Sequence, residues 1–158
     1  VDGDASVAGH FTGGGLRGYY LFGESGTFTA TRYLDMGNGV QSSTNDAIPL
    51  IRAGSITGIS TNYSVTSVTE NLTVGVFSTV TLHVRINNTS VKTMSLTSNS
   101  TGQKNTRTTQ AINTSGDTFS AGDKLQVSIT ISDESAGGSP SAVTYDDFTC
   151  YVEITYDD

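Results

Sequence analysis

Val80-Thr81-Leu82-His83-Val84-Arg85-Ile86 runs straight into Asn87-Asn88-Thr89. Its even-numbered side chains are all apolar, and Thr81, His83 and Arg85 fall between them. Side chains on a strand alternate between its two faces, so this stretch predicts a strand with one buried and one wetted side. Asparagine tolerates positive φ, so Asn87-Asn88 predicts a tight hairpin into Val91-Lys92-Thr93-Met94-Ser95-Leu96. The same period returns in Leu125, Val127, Ile129 and Ile131, after the turn residues Ser120 to Asp123. It returns again in Phe148, Cys150, Val152, Ile154 and Tyr156, which closes the chain.

Weaker segments fit the same pattern. Phe28 to Leu34 is β-branched and aromatic and is broken by Met36-Gly37-Asn38-Gly39. Pro49 lacks an N–H, which bars Ala47–Arg52 from a central strand position. In residues 54–69 the parity slips between Ile56 and Ile59, predicting a bulge or bend near Gly58. Leu72, Val74 and Val76 alternate, and Thr106 to Asn113 is a Thr-rich strand candidate. Short strands separated by polar turns indicate an all-β chain. We expect a two-sheet antiparallel β-sandwich of about eight strands over residues 28–158, with jelly-roll topology favoured.

Residues 1–27 read differently. Eight glycines crowd this stretch, and with them stand Phe11, Tyr19, Tyr20 and Phe22. Glycine makes regular structure costly in backbone entropy, so the stretch is expected to be an arm. It reads either as a flexible linker or as a segment that docks its aromatics on a partner or a neighbouring subunit.

Composition agrees with the strand pattern. Thr, Val and Ile number 47, against 24 for Ala, Leu, Glu and Lys, which excludes a helical bundle. Eight basic and fifteen acidic residues give a net charge of −7. Such a chain repels phosphate backbones and carries no basic patch, so neither nucleic acid nor membrane is an expected partner. Cys150 is the single cysteine, and its parity with Phe148 and Val152 marks it as a small buried hydrophobe. No apolar run is long enough for a membrane helix, and Val1-Asp2-Gly3-Asp4 has no signal-peptide character.

Enzymatic signatures do not emerge. GxSxG, HExxH, Walker and CxxC motifs are missing, and Gly13-Gly14-Gly15 neither follows an apolar strand nor opens a helix. His83 belongs to an outer strand face with no evident partner ligand. Asp133-Glu134, Asp146-Asp147 and Asp157-Asp158 are adjacent pairs, and neighbours on a strand point to opposite sides rather than across a cleft. No catalytic residue, metal ligand or cofactor is therefore expected. Six Asn-x-Ser/Thr sequons, Asn62 among them, are unsurprising in a chain with 45 Ser and Thr. The positive signal is Tyr151, which shares with Glu153 the face opposite the core set of the last strand. It reads either as a scattered surface tyrosine or, with Phe11, Tyr19, Tyr20 and Phe22, as a subunit or partner contact.

Three stretches carry a resemblance: Arg52-Ala53-Gly54-Ser55-Ile56-Thr57-Gly58-Ile59-Ser60, Val80 to Asn88, and Asp117-Thr118-Phe119-Ser120-Ala121-Gly122-Asp123-Lys124-Leu125-Gln126-Val127. In that order they resemble small jelly-roll proteins of tailed bacteriophages and bacteria, over about residues 33–156. In architecture such proteins are similar to the trimeric tumour-necrosis-factor and globular complement heads. The chain departs from the pattern at Asn87-Asn88-Thr89, where a glycine is usual. The resemblance implies a homotrimeric, non-enzymatic structural protein on the virion surface, either a capsid decoration or a head-fibre protein. Its partners would be its own copies and the major capsid protein or another virion protein. The alternative is a receptor- or carbohydrate-binding head of a tail fibre or bacterial surface protein, with a host glycan as ligand. The lean toward the head rests on a length that leaves no fibrous shaft.

Overall fold

A computed structural model describes residues 16–68, 78–98, 106–111, 117–133, 135–136, 139–140 and 143–157. The expected strand at Leu72, Val74 and Val76 and the aromatic Phe11 lie outside the described residues. Strand follows strand in chain order: β1 (Arg17–Phe28), β2 (Arg32–Tyr33), β3 (Asp35–Met36), β4 (Ile48–Pro49), β5 (Gly54–Val68), β6 (Ser78–Ile86) and β7 (Thr89–Ser98). Then come β8 (Thr106–Ala111), β9 (Thr118–Phe119), β10 (Lys124–Asp133), β11 (Ser135–Ala136), β12 (Ser139–Pro140) and β13 (Val143–Tyr156). No helix occurs among the described residues.

Two antiparallel sheets make a β-sandwich. The first runs β3-β1-β13-β5-β8, with β9 also on β5; the second runs β2-β10-β6-β7, with β4 also on β10. The expected fold class is thus observed. β6 is its plainest element: Val80, Leu82, Val84 and Ile86 are buried and alternate with half-buried Thr81, His83 and Arg85. Asn87 and Asn88 hold φ of 49° and 69°, which gives the tight hairpin into β7 without glycine. Pro49 stands on the short β4, paired to Lys124 at the margin of the second sheet, where its missing N–H leaves the ladder intact.

Between the sheets Leu82, Val84, Leu125, Val127 and Ile129 from one side meet Ile56, Ile59, Val152 and Ile154 from the other, all buried. An aromatic cluster closes one end. Tyr63 stacks on Phe148 with ring centroids 5.4 Å apart, and Tyr145 meets Tyr63 edge-on at 5.3 Å. Phe28 stacks on Tyr145 at 5.7 Å. Cys150 is fully buried, and burial pushes its thiol well above the ordinary range. Ionisation of this sulfur is thereby suppressed, which fits its role as a small apolar side chain.

Of the three register shifts between β5 and β13, two set the inward-facing residues near Gly58 and Asp147. Glu153 pairs with Gly58 but Ile154 with Ile56, so Thr57 is the extra residue and Ile56 and Ile59 both reach the core. That is the slip the sequence predicts near Gly58. On β13 the register shifts between Asp146 and Thr149, with Asp147 at φ 50°. Tyr145 and Phe148 thereby share the inner face despite their odd separation.

The boundary at residue 28 needs correction. Residues 17–28 are a strand, paired with β13 from Arg17 against Thr155 to Phe28 against Tyr145. Two of their three glycines, Gly18 and Gly23, serve close approach. A Cβ on Gly18 would lie 3.2 Å from the Ile154 side chain, and one on Gly23 would lie 2.9 Å from the Phe148 carbonyl oxygen. Absence of a side chain is what lets the two backbones approach there.

Charge closes the seam between the sheets on the β7 side. Lys92 Nζ on the second sheet donates to Asp117 Oδ2 at 2.5 Å, and Asp117 leads into β9 on the first sheet. The Asp117 carbonyl also accepts the Ile56 N–H at 3.0 Å. An inward-pointing lysine at an edge strand, beside the bulge that separates Val84 from Arg85, also discourages pairing of β7 with foreign strands.

The outer face of the second sheet is a hydroxyl network centred on His83. Its Nδ1 lies 3.1 Å from Ser90 Oγ and its Nε2 3.0 Å from Thr130 Oγ1, tying β7, β6 and β10 together. Partial burial first, and then the nearby Arg85 charge, hold the imidazole pKa below its ordinary value. A base with a lowered folded-state pKa binds protons more readily when unfolded, so stability falls as pH drops through the histidine range. The urea midpoint should therefore decrease between about pH 7 and 5, and His83→Gln should flatten that slope. An unchanged slope in the variant would refute the assignment.

Candidate functional site

The outer face of the first sheet carries the densest exposed apolar surface among the described residues. Leu21 on β1 pairs with Tyr151 on β13, which pairs with Ser60 on β5. One step along, Tyr19 pairs with Glu153, which pairs with Gly58. Tyr19 is 64% exposed, Tyr151 48% and Leu21 39%, so three large apolar side chains share one strip. Directly opposed side chains lie within van der Waals reach on such a face. One strip of this kind stands out because aromatics bury much area at low entropic cost when a partner covers them.

The lower margin of the strip is polar. Glu153 Oε1 accepts the Thr57 hydroxyl at 2.9 Å and lies 3.5 Å from the Arg17 guanidinium. Gly58 leaves room for that carboxylate, since a Cβ there would sit 3.2 Å from the Glu153 Cβ.

Two open grooves flank the Tyr151 ring. On the β1 side a groove of about 590 Å³ is lined by Leu21, Gly23, Asp35, Gly37 and Asp147. On the β5 side a groove of about 400 Å³ is lined by Ser60, Thr61, Asn62, Thr149 and Tyr151. The β13 bulge positions both, because it turns Asp147 outward and sets Thr149 beside Asn62.

The five residues expected as contacts separate into different environments. Tyr19 and Tyr151 come together on the strip through Leu21. Tyr20 points toward the inner side, where its hydroxyl meets the Tyr156 hydroxyl at 2.5 Å. Burial chiefly, with that bond adding to it, pushes the Tyr20 pKa up to about 12. Phe22 is fully buried in the core and is unavailable to a partner, because alternation along β1 turns it opposite to Leu21. Phe11 lies outside the described residues. Two further strand tyrosines, Tyr63 and Tyr145, are fully buried.

Sequence reading misses Leu21, Asn62 and Thr149. Leu21 shares parity with Tyr19, a signal concealed by the glycines around it. Asn62 and Thr149 are polar residues on an outer face, and only the register of β5 against β13 brings them together.

Among the described residues Asp146 and Asp147 make no cleft, while Glu134 and Asp158 of the other two pairs lie outside the described residues. No group of three or more His, Cys, Asp or Glu with metal-holding geometry occurs among the described residues. Asp147 is exposed at the bulge, while Asp146 stays on the strand beside Ser64. No protein-family model matches this chain, and no curated protein matches it.

Proposed function

We propose that this chain is a non-enzymatic structural protein on the surface of a tailed-phage particle. It acts as a homotrimeric capsid decoration or head-fibre protein, with a capsid or other virion protein as its second partner. The observation that carries the reading is the strip of Tyr19, Leu21 and Tyr151, a solvent-facing apolar surface on an otherwise hydroxyl-rich sandwich. Such patches on a small domain commonly mark subunit contact. The strand order supports the jelly-roll reading. β1, β5, β8 and β13 of one sheet interleave in the chain with β2, the β6–β7 hairpin and β10 of the other, and the first and last long strands are neighbours. A domain with one buried cysteine has no internal cross-link, so association would add stability by mass action.

Light scattering of the native protein tests the reading. A mass of three chains is expected, and Leu21→Glu should reduce it to one, because three added carboxylates would meet in an apolar contact. Leu21 is exposed enough that the variant should keep the parent urea midpoint. A monomeric parent protein, or a variant that stays associated, would remove the strip as a contact surface. Cosedimentation of the parent with emptied capsids tests the second partner.

A further inference from the structure

We infer that the groove on the β5 side of Tyr151 is a binding site for a neutral saccharide. The inference rests on the proposed role only in needing the β5 side of Tyr151 to stay uncovered where the strip meets another copy. It uses the side of the ring turned away from Leu21.

Three observations carry it. Among the described residues the groove is lined by uncharged side chains, Ser60, Thr61, Asn62, Thr149 and Tyr151, and its 400 Å³ falls within the roughly 300–1,000 Å³ of small-molecule sites. Its wall is a tyrosine ring about half exposed, held by the backbone pairing of Tyr151 with Ser60. Three of its polar groups are uncommitted: the Asn62 carboxamide, the Thr149 hydroxyl and the Tyr151 hydroxyl have no side-chain hydrogen bond among the described residues. By contrast the Thr61 hydroxyl is spent on the Thr149 carbonyl at 2.9 Å.

A pyranose ring matches this arrangement. It presents a face of C–H groups that packs on an aromatic ring, and around its rim it presents hydroxyls that both donate and accept. The Asn62 carboxamide offers two donors and an acceptor on one rigid plane, and the two hydroxyls reverse roles freely. A peptide would bring apolar side chains that the groove has no depth to cover. A second copy would use the Leu21 side of the ring. The net charge of −7 disfavours anionic ligands. Arg107 stands opposite Asn62 in register on β8, which makes acidic sugars the necessary comparison.

The test is a titration of the whole protein, followed by amide NMR, with methyl glycosides of glucose, galactose, mannose and N-acetylglucosamine. Methyl glucuronide and methyl sialoside form the acidic arm. An open groove that holds one sugar ring implies a Kd of about 1 mM for the best neutral glycoside. Shift changes should be confined to residues 58–62 and 149–153. Asn62→Ala and Tyr151→Ala should each weaken binding by about tenfold or more, with the urea midpoint unchanged for the exposed Asn62. Leu21→Glu should leave the saccharide response intact while it lowers the particle mass, so failure of the self-contact and failure of the groove are read separately. The inference is overturned if no neutral glycoside shifts these amides at about 20 mM, some twenty times the expected Kd. It is also overturned if only the acidic glycosides bind, or if Asn62→Ala binds like the parent.

Discussion

Replacing Phe148 with alanine is expected to remove about 3–5 kcal/mol of folding stability, the range for deleting a buried aromatic ring. The side chain is 1% exposed, stacks on Tyr63 and meets Phe28 edge-on at 6.2 Å. Its neighbours come from three strands, β1, β5 and β13, and cannot all close on the vacated space. Domains of this size commonly hold only about 5–15 kcal/mol, so the variant would keep a fraction of its margin. Urea unfolding followed by circular dichroism gives the number, with Phe148→Leu expected to lose about 1–2 kcal/mol. A loss below about 1 kcal/mol for the alanine would mean that Phe148 is not in the cluster, and the parity inversion at Asp147 would fall with it.

The second large effect comes from adding a single methyl group. Gly54→Ala should cost about 3 kcal/mol, the upper part of the range for overpacking. Its Cβ would stand 2.2 Å from the Thr155 carbonyl oxygen and 2.9 Å from both Tyr156 Cα and Phe119 Cζ. Two of those three atoms are backbone, so relief requires the start of β5 to part from the end of β13. Amide hydrogen exchange should therefore accelerate at residues 54–56 and 154–156 before it does elsewhere. Gly122→Ala supplies the contrast. That position is open, and its φ of 88° alone should cost about 1 kcal/mol. Equal losses at the two sites would show that conformation, not space, governs Gly54.

Much of this architecture is legible along the chain wherever one face is oily and the other wet. β6, β10 and the closing half of β13 follow from strict alternation, and the Asn87-Asn88 hairpin follows from asparagine, which accepts positive φ more readily than most residues. The slip at Gly58 is visible because two isoleucines sit three apart. β1 is not legible. Gly18 and Gly23 read as looseness in a linear sequence, whereas in space they make room for Ile154 and for the Phe148 carbonyl. The placement of Tyr145 and Tyr63 is hidden for a related reason. Their burial depends on bulges in two paired strands, and a one-residue shift inverts every later side chain. The candidate site is only half legible. Tyr151 stands out by parity, but Asn62 lies 87 positions before Thr149, and no local pattern announces that they will be neighbours.

The position of β13 between β1 and β5 has a consequence for synthesis. Each of its two flanking strands emerges from the ribosome long before the segment that must separate them. Arg17 waits for Thr155, so the first sheet cannot acquire its final pairings until residue 155 has been translated. The β6–β7 hairpin can form early, because its partners are adjacent in the chain. Such a nascent chain should refold slowly after dilution from denaturant, in the millisecond-to-second range of folds dominated by distant contacts. During translation it would depend on holdases to keep the orphaned β1 and β5 from pairing with each other or with a neighbour's strands.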